Sequence, residues 1–491
     1  MVLRWKLLLT SQPLASGPLR VRPHHRMSSP RIVIVGAGGY VFPLRLSIDI
    51  LSFSELQSAT LVLYDISAKN VKRTFEHVRR VVMANKLPAK VVMTTDRRKA
   101  LKDADYVIVA FQVGGVEAYK HDVEVPRRYG LDQCVGDTLG PGGVFRGLRS
   151  IGALTAIARD MQDLCPDALM LQYANPMAMN CWATNGMGIK TVGLCHSVQG
   201  TSQMLVKRAG FRYEDVAFKC GGINHQAWFT RFADQDGYDI YPKIRATMLR
   251  QNPSPLEVGA KGHASARKFE QTGAEHHVDD DVYYSERVRT EILRTFGYFH
   301  TESSHHGSEY TPWFRKDAKT VKAYIKTRWD YYLISSGRQT PEQQLRLEDM
   351  TVGPLKRSEE YGSLIIHSME TGQKSVIYGN VPNDGMPGAK GALVIGNLPV
   401  NACVEVACLV DRNGIQPTLH GPLPPQCAAI NRTNINVHEL AVLGAITGDK
   451  DAVHQAIAMD PLTGALLTLP QICSMVSEMF ALEKKWLPQF N

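Results

Sequence analysis

Between residues 31 and 194 the chain alternates short aliphatic runs with longer stretches in which apolar positions recur every three to four residues. Arg31-Ile-Val-Ile-Val35 is too short for a helix and is followed by Gly36-Ala37-Gly38-Gly39, which predicts a strand over 31–35, a tight turn and a helix over 42–52. The cycle repeats with a strand over 59–64 that ends at Asp65 and a helix over 68–85. A strand over 91–95, a helix over 97–104 and an all-apolar strand over 106–111 come next. The glycine-dense turn 135–143 heads a helix over 144–163, and strands are expected at 168–173 and 190–194. Strands alternating with helices predict a parallel, doubly wound sheet, and a run that is apolar throughout marks a strand buried on both faces.

The pattern changes after about residue 215. Strands are expected at 216–220 and 227–232, and helices at 285–295 and 320–334. The fold class is therefore α/β: a doubly wound Rossmann-type NAD-binding lobe of the lactate/malate dehydrogenase kind over 28–208, and a C-terminal α+β catalytic and oligomerisation lobe over 209–491. No repeat, low-complexity tract or Gly/Ser linker separates the two, so they are expected to pack closely.

Composition changes this picture little. With 491 residues, 44% hydrophobic, the chain has material for a large core. Five of the nine net positive charges sit before residue 27, on Arg4, Lys6, Arg20, Arg22 and Arg26, so the body is not a basic nucleic-acid-binding surface. Residues 1–27 read as a disordered or non-native extension, with Met27 as an alternative start and a transit peptide as a weaker reading; the apolar patch Leu7-Leu-Leu9 is too short for a membrane span. Nine cysteines without paired spacing read as reduced thiols of a cytoplasmic protein, and no membrane partner is expected.

Candidate chemistry sits at strand ends. Gly36, Gly38 and Gly39, between a strand and a helix, with Asp65 closing the next strand, form a partial dinucleotide fingerprint, and an acid there favours NAD+ over NADP+. The loop with Gln112 and Gly114 opens where such sheets hold cofactor. Cys195 and His196 follow the last strand of the first lobe, and His225 lies further on. A thiolate and an imidazole from separate loops suit Mn2+ or another first-row divalent ion, while the bland alternative is a buried thiol and a core histidine. The run 301–310 reads as a solvated polar loop, in which the adjacent His305 and His306 have no preferred ligand geometry. Cys403 and Cys408 read as alternating strand positions rather than a zinc site.

With these segments in hand the chain resembles glycoside hydrolase family 4, most closely its melibiase-type α-galactosidases. The likeness rests on Gly36-Ala-Gly38, 109–115, Asp137-Thr-Leu-Gly-Pro-Gly-Gly143, Asn175-Pro-Met-Ala-Met-Asn180, Cys195-His-Ser-Val-Gln-Gly-Thr201, Gly222-Ile-Asn-His225, Thr301-Glu-Ser-Ser304, 376–381 and 433–437. It runs from Arg31 almost to the end. It departs mildly at Gly39, where a serine is common, and at Gln172, where an asparagine is usual.

The resemblance implies an NAD+-dependent route to glycoside cleavage: C3 oxidation, C2 deprotonation, elimination, water addition and re-reduction. It makes Cys195 and His225 the metal ligands, His196 the general acid and Asn175 a holder of substrate hydroxyls. Tyr298 is the expected base, with Tyr310 and Glu286 as substitutes, assisted by Asp137, and Arg289 orients substrate. The pair Cys195-His196 implies an unphosphorylated sugar, and Ser197-Val198 an α-galactoside. α-Glucosidase and α-glucuronidase members share Cys-His and stand as alternatives. A 2-hydroxy-acid dehydrogenase would share the first lobe but have no use for Cys195. A homodimer or homotetramer is expected.

Overall fold

The computed structural model of the chain describes residues 29–255, 286–325, 331–332, 349–385 and 392–490. The extension expected over 1–27 and much of the helix expected over 320–334 lie outside the described residues.

The strands of the first lobe are β1 (Arg31–Val35), β2 (Thr60–Tyr64), β3 (Lys90–Thr94), β4 (Tyr106–Val109), β5 (Leu169–Gln172) and β6 (Thr191–Leu194). Between them run helices α1 (Phe42–Leu51), α2 (Ala68–Ala84), α3 (Arg97–Leu101), α4 (Gly115–Arg128), α5 (Gly140–Leu164) and α6 (Met177–Gly186), with α7 (Ser197–Arg208) after β6. The six strands pair in parallel in the order β3-β2-β1-β4-β5-β6, the doubly wound order in which ligands bind beyond the carboxyl ends of the strands.

The residue pattern explains the double winding. Ile32 and Ile34 of β1 join one core with α1 and α2, while Val33 and Val35 join a second core with Leu154, Ile157 and Met161 of α5. Tyr106 and Ile108 of β4 face the first core, Val107 and Val109 the second. Both faces are covered, so the strands are apolar without alternation. Only β3, at the sheet's edge, mixes exposed and half-buried positions. Helix starts carry their own signals: Ser67 Oγ accepts the Asn70 amide at the head of α2, and Asp96 does the same for Lys99 at α3.

The second lobe adds β7 (Ala217–Ile223), β8 (Gln226–Ala233), β9 (Phe299–His300), β10 (Ser375–Pro382), β11 (Cys403–Asp411) and β12 (Gly414–Pro417). Its helices are α8 (Tyr241–Gln251), α9 (Arg287–Phe296), α10 (Ser304–Gly307), α11 (Ala318–Tyr324), α12 (Tyr361–Thr371), α13 (Pro425–Thr447), α14 (Lys450–Ala458), α15 (Pro461–Leu466) and α16 (Leu469–Glu483). These strands continue the same sheet. β10 pairs antiparallel with β6, and β11, β7, β8 and β9 follow, giving 12 strands in one sheet with β12 against β11. The expected boundary near residue 208 falls at the end of α7, but the sheet passes across it through the β6–β10 pair.

Gly193 makes that junction possible: a Cβ there would lie 2.6 Å from Met177 Sδ, 2.7 Å from Cys181 Sγ and 2.8 Å from Asn380 Cβ. Cys403 and Cys408 lie in β11 as strand packing, as expected. Helix α5 starts at Gly140, so the last residues of the predicted turn already form its first turn. Among the described residues no helix is long and apolar enough to cross a membrane.

Candidate active site

The first glycine turn closes tightly over the end of β1. Gly36 has φ +90°, and a Cβ on it would sit 2.4 Å from Ala110 O, so only glycine fits. The Gly36 and Ala37 amides both donate to Tyr64 O, tying the turn to β2. Asp65 follows β2, and its carboxylate accepts from the Gly38 amide at 2.9 Å and the Ser67 amide at 2.8 Å. Arg73 donates to Gly38 O at 2.7 Å and lies over the Tyr40 ring. Helix α1 begins just beyond with no side-chain cap, and α4 begins after Gly114 (φ +83°), also without a side-chain cap; Gln112 Nε2 donates to Gly115 O at 3.1 Å. Two helix N-termini without side-chain caps beside a glycine-rich turn are a fitting cradle for a pyrophosphate.

Three elements of the sheet deliver a second cluster. Cys195 follows β6, His225 occupies the β7–β8 turn and Glu302 follows β9. One ligand atom from each lies within 4.8 Å of the others. His225 Nε2 is 3.8 Å from Glu302 Oε2, and Cys195 Sγ is 3.4 Å from Ser197 Oγ. Glu302 holds φ +70°, a left-handed conformation unusual for a glutamate and the kind of strain found at functional sites.

The electrostatics of this cluster fit a cation. Burial, with the Glu405 and Glu302 carboxylates, pushes the Cys195 thiol well above its ordinary range. Burial works against ionisation of Glu302 too, yet His225 and His306 hold it down at about 2. Glu405, fully buried in β11, is pushed up to about 7 by burial despite His225 and the Asn380 amide, which donates to Oε1 at 3.3 Å. Its Oε2 is buried with no hydrogen-bond partner among the described residues. A thiol, an imidazole and a carboxylate, with the Glu405 carboxyl near enough to act on their charge, form a donor set suited to a first-row divalent ion.

Around His225 lies a buried polar chain. Asp137 accepts from Thr138 Oγ1 at 2.7 Å and Asn175 Nδ2 at 3.0 Å, and its Oδ1 is 3.4 Å from His306 Nε2. Burial raises the Asp137 carboxyl, but His306, Arg146 and His225 more than offset this and hold it below its ordinary value. Tyr310 Oη lies 3.1 Å from both His225 Nδ1 and His306 Nε2. Glu309 accepts the Cys134, Val135 and Gly136 amides at 2.8, 2.9 and 3.0 Å and so pins the loop that carries Asp137. His196, by contrast, is 72% exposed, with Nδ1 3.7 Å from Glu360 Oε1.

Of the expected residues, Asp137, Asn175, Cys195 and His225 come together here, whereas Tyr298, Arg289 and Glu286 make their contacts elsewhere. Tyr298 packs its ring onto the core beside Tyr241, at 6.4 Å between centroids, because it lies on the strand-entry side of β9. Arg289 is buried, with Nε and Nη2 on Glu286 at 2.6 Å and Nη1 on Thr201 Oγ1 at 2.9 Å, so its guanidinium ties the start of α9 to α7. The same bond occupies Glu286, which also receives Ser304 Oγ. The run 301–310 is no solvated loop. His305 and His306 are buried on α10, His305 against Cys134 and His306 against Tyr310.

Sequence reasoning missed Glu302, Thr138, Glu405 and Tyr331. Glu302 stood inside a quoted motif without an assigned role. Tyr331 donates its amide to Cys134 O, and its phenol is raised by burial and by the nearby Asp137 and Glu302 carboxylates. No local pattern marks a tyrosine in a predicted helix as part of a cluster built near residue 137.

Comparison with known proteins places the chain in a family. Residues 31–211 match the model of family 4 glycosyl hydrolases, and residues 220–463 that of the family 4 glycosyl hydrolase C-terminal domain. An α-galactosidase of Rhizobium meliloti is 36% identical over 478 residues, covering 94% of this chain and 90% of that protein. An α-galactosidase of Bacillus subtilis is 36% identical over 467 residues, covering 94% and 100%. A 6-phospho-α-glucosidase from gut microorganisms, solved in complex with NAD and Mn2+, shares the fold with a TM-score of 0.73 at 19% identity, over 94% of this chain and 100% of that one. Matched along nearly its whole length by both family models and by relatives of this identity, the chain belongs to glycosyl hydrolase family 4.

Proposed function

We propose that this chain is an NAD+- and divalent-metal-dependent α-galactosidase acting on small unphosphorylated α-galactosides of the melibiose type. The observation that carries the proposal is the convergence of Cys195, His225 and Glu302 at strand ends of a doubly wound sheet with a dinucleotide turn. The two α-galactosidase relatives support the sugar.

When bound, NAD+ would supply reversible hydride transfer and Mn2+ or a similar ion Lewis-acid stabilisation of charge developing on the sugar. The chain's own residues do the rest. Gly36, Gly38, Gly39 and the start of α1 hold the pyrophosphate, Asp65 the adenosine ribose, and the Gln112–Gly114 loop the other half of the cofactor. Cys195, His225 and Glu302 hold the metal. Asn175, fixed through Nδ2 to Asp137, keeps Oδ1 for a sugar hydroxyl. His196, exposed on one side and faced by Glu360 on the other, donates a proton to the departing glycosidic oxygen. The C2 proton falls to a phenol. Tyr310 is enclosed between two imidazoles, whereas Tyr331 is half-buried beside Asp137 and Glu302, so Tyr331 is assigned that task. Its phenol starts above the ordinary value, and a divalent charge in the cluster would act in the opposite sense to the two carboxylates.

All nine cysteines are free, which supports a cytoplasmic setting where thiols stay reduced and NAD+ is present. A symmetric homodimer or homotetramer is the assembly proposed.

The test is hydrolysis of para-nitrophenyl α-galactoside, with the α-glucoside and α-glucuronide alongside, with and without NAD+, Mn2+ and reductant. Galactoside turnover that needs all three additions supports the proposal. Turnover confined to another sugar moves the specificity, and cleavage indifferent to NAD+ and Mn2+ refutes it.

A further inference from the structure

The loop Gln112–Gly115, between β4 and α4, turns on two glycines: Gly114 has φ +83° and Gly115 φ +54°. Glycines have the most backbone freedom to lose, so whatever holds them in place before the cofactor arrives raises affinity for it. One bond within the loop does this, from Gln112 Nε2 to Gly115 O at 3.1 Å. Two further contacts come from outside, and both lead to the segment that follows α16.

The first contact is Arg149 of α5. Its Nε donates to Val113 O at 3.3 Å, and its guanidinium is held by Asp122 of α4, at 2.9 and 2.6 Å, and by Glu483, the last residue of α16. The second is Trp486. Its ring carbons Cδ2 and Cε2 lie 3.2 Å from where a Cβ on Gly114 would stand, so the indole covers that glycine. Lys485 Nζ sits 4.2 Å over the same ring and donates to Glu117 Oε1, in the first turn of α4, at 2.7 Å.

The segment that carries Trp486 is itself anchored. Residues 484–486 and 488–490 form two single turns of 3-10 helix. Leu487 is buried, and Gln489 Nε2 donates to Leu148 O of α5 at 2.9 Å. The Phe490 ring lies 5.1 Å from Phe480, which lies 4.9 Å from Phe145 of α5. A Cβ on Gly152 would be 3.1 Å from Gln489 Oε1 and one on Gly448 2.5 Å from Gln489 O, so glycines in α5 and just after α13 leave the room that Gln489 takes. The segment is docked on the helix that carries Arg149, and it cannot leave that helix without uncovering Gly114.

We propose that residues 483–490 are part of the frame of the cofactor site, with Trp486 as a positioning residue that holds the Gln112–Gly115 loop ordered for NAD+. This rests on the reading proposed above in which that loop meets the cofactor. Coupling between two places in a protein is reciprocal: if the docked segment raises NAD+ affinity, NAD+ must stabilise the docked segment by the same factor.

The test uses the full chain, reduced, with NAD+ as the probe. By calorimetry Trp486→Ala is expected to bind NAD+ about tenfold more weakly, at the lower end of what coupled sites show, while Trp486→Phe, which keeps a ring against Gly114, stays within about threefold of the wild type. Mn2+ affinity, which a loosened fold would lower as well, is expected to stay within about threefold. In the wild type the Leu487 and Phe490 amides donate to Lys484 O and Leu487 O, so hydrogen exchange followed by mass spectrometry reads the docking of 484–490. Saturating NAD+ is expected to slow that exchange about tenfold. A Trp486→Ala chain that binds NAD+ within about threefold of the wild type, or one that loses NAD+ and Mn2+ affinity alike, overturns the proposal. If that variant fails to fold, the exchange measurement decides, and equal rates with and without NAD+ overturn it. Gly114→Ala separates the two ideas, because φ +83° and the Ala118 Cβ, 2.4 Å from the new methyl, force the loop itself to move. If it leaves NAD+ affinity untouched, the loop reading falls. If it weakens binding while Trp486→Ala does not, only the role of the segment after α16 falls.

Discussion

Glu309→Gln gives a prediction whose size follows from the structure. The Glu309 carboxylate is 1% exposed and accepts three amides, Cys134 and Val135 on Oε1 and Gly136 on Oε2. Glutamine keeps the shape but can place only one oxygen. With that oxygen toward Cys134 and Val135, its NH2 meets the Gly136 N–H, donor against donor. An unsatisfied buried donor costs about 1–3 kcal/mol, and losing the charge from the other two bonds removes roughly 1 kcal/mol each, for a total of about 3–5 kcal/mol. With an unfolding entropy of about 2.1 cal/mol/K per residue, a chain of this length loses roughly 3–5 °C in Tm. Asp137 and Thr138 ride on the loosened loop, and a displacement near 1 Å lowers kcat by about 100-fold.

The pH dependence sharpens the test. Burial alone would raise the Glu309 carboxyl, but His306 and Arg315, with the Val135 amide, hold it far below its ordinary value. In the unfolded chain it takes up its proton near its ordinary value of 4.5. The stabilisation from the ionised group is therefore whole above that pH and is lost as pH falls toward the folded-state value. The Tm gap between wild type and Glu309→Gln, read by scanning fluorimetry on the metal-free chain, should be constant from about pH 8 to 5.5 and narrow below about 4.5. A gap under 1 °C at pH 7, or one that widens in acid, refutes the reasoning.

Other outcomes follow from the same geometry. Gly38→Ala would place a Cβ 2.7 Å from the Asp65 carboxyl carbon, displacing the acid proposed to hold the ribose; calorimetry should show NAD+ affinity lowered by at least about tenfold, a loss near 1.4 kcal/mol. Cys195→Ser should abolish Mn2+-dependent turnover with NAD+ binding intact, since the ligand must be a thiolate, and retained turnover would remove Cys195 from the metal site. Tyr331→Phe should stop incorporation of solvent deuterium at sugar C2, followed by mass spectrometry; normal exchange would assign the base elsewhere. Arg149, buried between Asp122 and Glu483, braces α5 against α4 and α16. Arg149→Met alone should cost about 3–5 kcal/mol, while adding Asp122→Leu and Glu483→Met should recover most of it, because an uncompensated buried carboxylate costs more than an apolar triad. Equal Tm values for the single and triple variants would contradict that.

The nucleotide half of this protein was readable from local chemistry. Strands apolar on both faces, a glycine turn that tolerates no Cβ and an acid one strand later are nearest-neighbour properties, so residues 31–194 announce a doubly wound sheet and its cofactor turn without tertiary information. The pairing of β6 with β10 is different. Nothing in the 190–194 segment says that a strand nearly two hundred residues later will lie against it, and Gly193 shows its purpose only when Met177, Cys181 and Asn380 crowd around it. The metal cluster divides in the same way. Cys195 and His225 stood out through the family's motifs, but Glu302 joins them because β9 ends where β6 and the β7–β8 turn end. The family's motifs put Tyr298 ahead of Tyr310 as the base. Packing sends Tyr298 onto the core beside Tyr241 and sets Tyr310, beyond α10, between two histidines, because a side chain's surroundings depend on which distant elements pack against it. Sequence by itself determined the chemistry available and the elements that carry it; only the tertiary structure decided which of those groups meet, since hydrogen bonds and ligand sets depend on a few tenths of an ångström that local patterns do not encode.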